Sequence, residues 1–154
     1  MRFAPAEVIS SDALRAVVGA GEADQSASRT AFSILHRQVD SRLRRGLLTV
    51  VDATNVGASA RRPLLWRARK HGLSATAIVF DMPRALVQAR NASRTERVVA
   101  AAIVDDHLAR LRMLVDAGSL ELEGFDEIYR LTDPLELDTA TIERIRPGRS
   151  IRRR

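Results

Sequence analysis

The run Leu47-Leu48-Thr49-Val50-Val51-Asp52-Ala53-Thr54-Asn55, set directly after Gly46, is the most informative part of the chain for its fold class. Residues 47–51 show no alternation of apolar and polar side chains. A strand half exposed to water alternates, whereas one covered on both faces does not. The run therefore reads as a buried strand of a parallel sheet, closed by an acid and small polar residues.

Both flanks support this reading. Upstream, Ala27, Ala31, Ile34, Leu35, Val39 and Leu43 recur at helical spacing, with arginines on the other face and Gly46 as the stop. Residues 22–28 are polar and read as a loop. Before them, residues 6–9 read as extended, and Ser11 is placed to cap a helix over 12–18. Downstream, 58–71 is an amphipathic helix ended by Gly72, and 76–80 is a second buried strand. Pro83 opens a helix to about residue 92. Residues 93–97 form a polar break, 99–117 a long helix stopped by Gly118, and 127–131 a last short strand. A weak helix and a basic tail follow, with disorder expected beyond Pro147. Helix and strand alternate, so the class is α/β with a mostly parallel sheet. Ligands of such sheets sit beyond the carboxyl ends of the strands. Ser10, Ser11 and Asp12, then Asp52, Thr54 and Asn55, then Asp81, occupy those ends.

Composition narrows the function classes. The 154 residues suit one domain and carry a net charge of +6. Six arginines and no acid lie in residues 144–154, so residues 1–143 balance at 19 basic and 19 acidic groups. The excess is a property of the tail, which argues against a globally basic coat protein. Within the neutral body, residues 61–97 hold nine basic groups and two acids, and residues 103–143 hold eleven acids and three arginines. Paired helical faces and solvated surfaces are the ordinary explanation of such a split; a positive face for polyanionic ligands is the sharper alternative. There is no cysteine, which excludes disulfide scaffolds and thiolate metal sites. No run of about 18 apolar residues spans a membrane, and residues 1–5 hold no apolar signal core. A cytoplasmic location is expected. His36, His71 and His107 have no metal-ligand spacing. Trp66 and Phe80 read as core or helix-face residues, and so few aromatics make no stacking platform.

Three constellations carry possible chemistry. Asp12 and Arg15, three apart at a helix start, share a face. They form either a local ion pair or a base for an acceptor hydroxyl beside a phosphate-binding arginine. Asp52 ends its strand in a Walker-B-like layout, where such an acid orients Mg²⁺ or its water shell; a plain turn would look the same. Arg90 and Arg94, with Arg97 beyond, lie between two helices, either in a solvated loop or on a mobile lid that neutralises transferring phosphates.

Taken in order, the segment from Val8 to Arg15, the stretch Thr49-Val50-Val51-Asp52-Ala53-Thr54-Asn55 and the arginine-bearing break resemble the kinase domain of bacterial polynucleotide kinase-phosphatase proteins and related AAA-type ATP-dependent kinases. The resemblance covers roughly residues 3–131. It implies a P-loop NTPase-like sheet flanked by helices, ATP and Mg²⁺ as cofactors, and a nucleic acid with a 5′-hydroxyl end as partner. It implies that Asp12 is the general base, Arg15 the contact to the acceptor's phosphate, and Asp52 the strand-end acid near the metal. Arg90 and Arg94 are implied to grip the ATP phosphates. The expected organisation is a kinase-like domain over 1–132, with a lid around 90–98, and an appendage over 133–154.

The chain departs from the family at one place. None of its eight glycines builds the G-x-x-x-x-G-K-[ST] loop, and Lys70, its one lysine, sits in a helix. That loop supplies backbone N–H groups, a lysine and a hydroxyl for the phosphates and Mg²⁺. The family's first strand, loop and first helix are expected to be missing, with ATP binding too weak for turnover. A fragment of an active kinase, a non-catalytic nucleic-acid-binding protein using residues 61–97 and the tail, and a kinase of a small acceptor are the three readings left open.

Overall fold

The computed structural model describes residues 3–18, 25–95 and 98–142. Pro5–Glu7 forms a short 3₁₀ turn where extended chain was expected, with the Glu7 carboxylate accepting from the Ala4 N–H at 2.9 Å. Strand β1 (Val8–Ser10) follows and leads directly into helix α1 (Ser11–Val18). Helix α2 (Gln25–Arg44) starts inside the segment read as a loop, since polar composition does not distinguish a loop from the first turn of a helix. Its residues Ala31, Leu35 and Val39 are buried, as their spacing predicts.

Strand β2 is Val50–Asp52, shorter than expected. The reason lies at the end of α2. Gly46 takes φ +64°, and the Leu47 N–H donates back to the Arg42 carbonyl at 3.1 Å, the return bond of a helix C-terminal motif. The Arg42 guanidinium then donates to the Leu48 carbonyl at 2.7 Å and to Thr49 Oγ1 at 3.2 Å. Residues 47–49 are thus held on the helix end, and pairing begins at Val50. Strands β1 and β2 pair in parallel, with Val8 opposite Val50 and Ser10 opposite Asp52. Ile9, Leu35 and Val39 form the core here, with Leu14, Phe32, Leu43, Val51 and Leu64 packed against them.

Helix α3 (Ala58–Lys70) leads to strand β3 (Thr76–Phe80). Helices α4 (Arg84–Ala92), α5 (Ala101–Asp116) and the unexpected short α6 (Ser119–Glu123) precede strand β4 (Glu127–Leu131), and α7 (Pro134–Thr139) ends the described chain. A capping box of Asp133 and Glu136 starts α7. Strands β3 and β4 pair in parallel over five residues, from Thr76 opposite Glu127 to Phe80 opposite Leu131.

The class is α/β, with short parallel strands flanked by helices. The strands do not form the single sheet the alternation predicts. They make two parallel pairs, β1–β2 and β3–β4, and among the described residues each strand has one hydrogen-bonded neighbour. Interior parallel strands are covered by strands as well as helices. Lacking that cover, Val50 and Val51 stay half-buried and Phe80 is 49% exposed. Trp66, also expected to pack, is 57% exposed on α3. Among the described residues no helix is long and apolar enough to cross a membrane.

Candidate active site

Ser10 ends β1 and Asp52 ends β2, and the register sets them opposite each other. Parallel strands release the chain at the same edge, so the residues just after each strand gather there. Ser10 Oγ accepts the Ala13 N–H at 3.5 Å, so Ser10, not Ser11, caps α1; Ser11 is buried as the first helical residue. Asp12 lies exposed in the first turn of α1, and the Arg15 guanidinium, one turn on, pairs with its carboxylate. Arg15 Nε is buried and has no hydrogen-bond partner among the described residues. The Asp12 carboxylate faces solvent while the cation behind it is largely covered.

Asp52 is exposed, and its carboxylate has no hydrogen bond or ion pair to another described residue. The loop beyond it turns at Asn55, whose φ of +46° is left-handed. Buried Arg61 donates to the Asn55 carbonyl at 2.8 Å and grips the Glu123 carboxylate with Nε at 2.8 Å and Nη2 at 2.5 Å. The loop after Asp52 is thereby fixed to α6. The Arg61 guanidinium holds the Glu123 carboxyl below the usual carboxylate range. Sequence reasoning missed Arg61: its partner is 62 positions away, and nothing in its neighbours distinguishes it from the other arginines of α3.

Arg90 lies in the last turn of α4 and Arg94 just beyond it. Both are exposed, and neither guanidinium has a hydrogen bond or ion pair to another described residue. Asn91 closes the neck of this break, donating to the Val99 carbonyl at 2.7 Å and accepting its N–H at 3.0 Å. Arg97 lies outside the described residues. Asp12, Arg15 and Asp52 therefore share the β1–β2 edge, whereas Arg90 and Arg94 belong to the α4–α5 connection after β3. Asp81, after β3, is occupied by the Arg130 guanidinium. The charge split along the chain is partly internal pairing: Arg84 grips Asp105 at 2.7 and 2.6 Å and lowers its pKa.

A family model for an AAA domain matches residues 1–117. The chain belongs to the AAA domain family. This AAA domain is of the P-loop kinase and ATPase lineage, whose members bind ATP with Mg²⁺. Helix α6, strand β4 and helix α7 lie beyond the matched residues. A search of curated proteins finds no match.

Mg·ATP needs oxygen ligands for the metal and a cradle for the phosphates. Among the described residues no three carboxylates or imidazoles gather to hold a metal, leaving Asp52 as a single free strand-end acid. Arg90 and Arg94 suit phosphates, but a triphosphate also needs a backbone N–H cradle. Gly46, Gly72, Gly118 and Gly124 all sit at positive φ just past helix ends, and none builds such a loop. These residues alone do not complete a site for Mg·ATP.

Proposed function

We propose that this AAA domain is the acceptor-side portion of an ATP-dependent phosphotransferase acting on a polynucleotide 5′-hydroxyl. The observation that carries the reading is that the Asp12–Arg15 pair starts the helix directly after Ser10, which the β1–β2 register sets opposite Asp52. Asp12 takes the proton of the acceptor hydroxyl, and its exposed position leaves it open to a substrate. Arg15 binds the acceptor's neighbouring phosphate through the donors that Asp12 leaves free. Asp52, Arg90 and Arg94 serve the nucleotide side, the arginines on a lid around 90–98 whose neck is the Asn91–Val99 pair. The catalytic unit spans 1–132, and 133–154 is an appendage.

The separation of the sheet supports the absence of a central element. In P-loop kinases the strand before the phosphate loop lies in the middle of the sheet, and here, among the described residues, β2 and β3 each have an unpaired side. The 154-residue chain by itself is accordingly inactive. The test is a chain extended by the residues encoded upstream of Met1, assayed with labelled ATP and a 5′-hydroxyl oligonucleotide. Phosphorylation that Asp12→Ala abolishes is the expected result. An in-frame stop close upstream with no Gly-rich lysine loop encoded overturns the reading, as does micromolar Mg·ATP affinity of the 154-residue chain in isothermal titration.

A further inference from the structure

We propose that the face of α2 and α3 around Trp66 binds single-stranded nucleic acid, with a base stacked on the indole and phosphates held by the surrounding arginines. This surface is separate from the β1–β2 edge, and the proposal does not depend on phosphoryl transfer.

The face is built by helical spacing. Leu65 and Ala68 turn inward and are buried, which puts Trp66, Arg69 and Lys70 on the outer side of α3. Trp66 is more than half exposed, an unusual placement for so large an apolar side chain. Two cations attend its ring: Lys70 Nζ lies 5.2 Å and Arg67 Cζ 5.7 Å from the centroid. The indole also borders two depressions. One, of about 430 Å³, is bounded by His36, Arg37 and Arg44 of α2 opposite Arg67 and Lys70. The other, of about 340 Å³, is bounded by Arg62 and Arg69.

The acids on this face are already committed. Asp40 in the first depression is bound by His71 at 3.0 Å and Arg44 at 2.8 Å, with Lys70 at 3.6 Å. Glu123 in the second is gripped by Arg61. The guanidinium groups of Arg37 and Arg62 have no hydrogen bond or ion pair to another described residue, although the charge of Arg62 acts on Glu123. His36 is half-buried in the wall of the first depression, and its Nδ1, itself covered, has no hydrogen-bond partner among the described residues. An unspent set of donors on both sides of one exposed ring matches alternating phosphate and base. Each stacked base adds affinity without demanding a sequence, and one ring is enough for one base. A membrane surface fits less well, because Trp66 and exposed Leu122 of α6, which border the second depression, stand among cations and do not make an apolar stripe to insert.

Trp66 is the single tryptophan of the chain, so its fluorescence reads this site alone. The full chain is titrated with a short thymidine oligonucleotide at several salt concentrations. Quenching of Trp66, protection of its emission from acrylamide, and affinity that falls with salt are expected. Trp66→Ala is expected to weaken binding roughly tenfold or more, and Trp66→Phe to restore most of it. The double substitution Arg37→Gln, Arg62→Gln is expected to lower the log–log salt slope by about 0.7 for each phosphate no longer neutralised. Binding that leaves Trp66 emission unchanged assigns the affinity to the arginine tail and overturns the proposal. So does equal quenching by inorganic polyphosphate, or a response to anionic vesicles and none to the oligonucleotide.

Discussion

Arg61 and Glu123 meet across 62 positions as a two-bond ion pair whose side chains are 6% and 13% exposed. It joins α3 to α6, and through the Asn55 carbonyl it also holds the loop after Asp52. Removing one partner of a buried pair leaves an uncompensated charge, at a cost of about 3–5 kcal/mol. Arg61→Leu is therefore expected to lower the urea midpoint sharply, and Arg61→Leu with Glu123→Leu to recover part of the loss. Equal midpoints for wild type and Arg61→Leu would show that the clamp does not hold the fold.

Asp40 gives the protein an acid-sensitive contact. Its hydrogen bond to His71, then that to Arg44, and the charge of Lys70 lower its carboxyl from 3.8 to about 2. Between those values the unfolded chain binds more protons than the folded one, so stability rises with pH. The contribution is present above about pH 4 and is lost as pH falls through 2. Denaturation midpoints of Asp40→Asn are expected to lie below wild type at neutral pH and to converge on it at the acid end.

Gly124 ends α6 at φ +86°, and a Cβ built there would collide with Arg69 Nη2. That guanidinium donates to the Glu123 carbonyl at 2.6 Å. Gly124→Ala therefore brings left-handed strain of about 1–2 kcal/mol and pushes Arg69 off its acceptor. Thermal unfolding should show the loss, and Arg69→Ala in the same background should relieve the collision while leaving the backbone strain.

At the proposed active site Asp12 and Arg15 are expected to fail differently. In a chain that carries the phosphate loop, Asp12→Asn should reduce kcat about 10²–10⁴-fold, the range of a lost general base, with little change in KM for the oligonucleotide. Arg15→Gln should raise that KM, because it removes binding to a phosphate present before and during reaction. Equal effects of both substitutions on kcat alone would argue that the pair merely starts a helix.

Helices are the most legible part of the molecule. Leu35, Val39 and Leu43 mark α2 by periodicity, and Gly46, Gly72 and Gly118 stop helices where the sequence places them. Strands 76–80 and 127–131 are legible to the residue. The start of β2 is not, because Leu47 and Leu48 are as apolar as Val50 and only the Arg42 bonds show that they belong to the helix end. Trp66 misleads for a related reason: an aromatic beside buried Leu65 looks like core until the turn of α3 carries it to the outer side.

Local pattern is enough to establish the α/β alternation, the placement of Ser10, Asp12 and Asp52 at strand ends, and the lack of a Gly-rich lysine loop. Only the folded molecule establishes that β1–β2 and β3–β4 stand as separate pairs, that Arg61 reaches Glu123, and that Trp66 faces water among arginines. Strand pairing and ion pairing join residues far apart in the chain. Which partners meet is set by the packing of whole helices, and no stretch of sequence contains that information on its own.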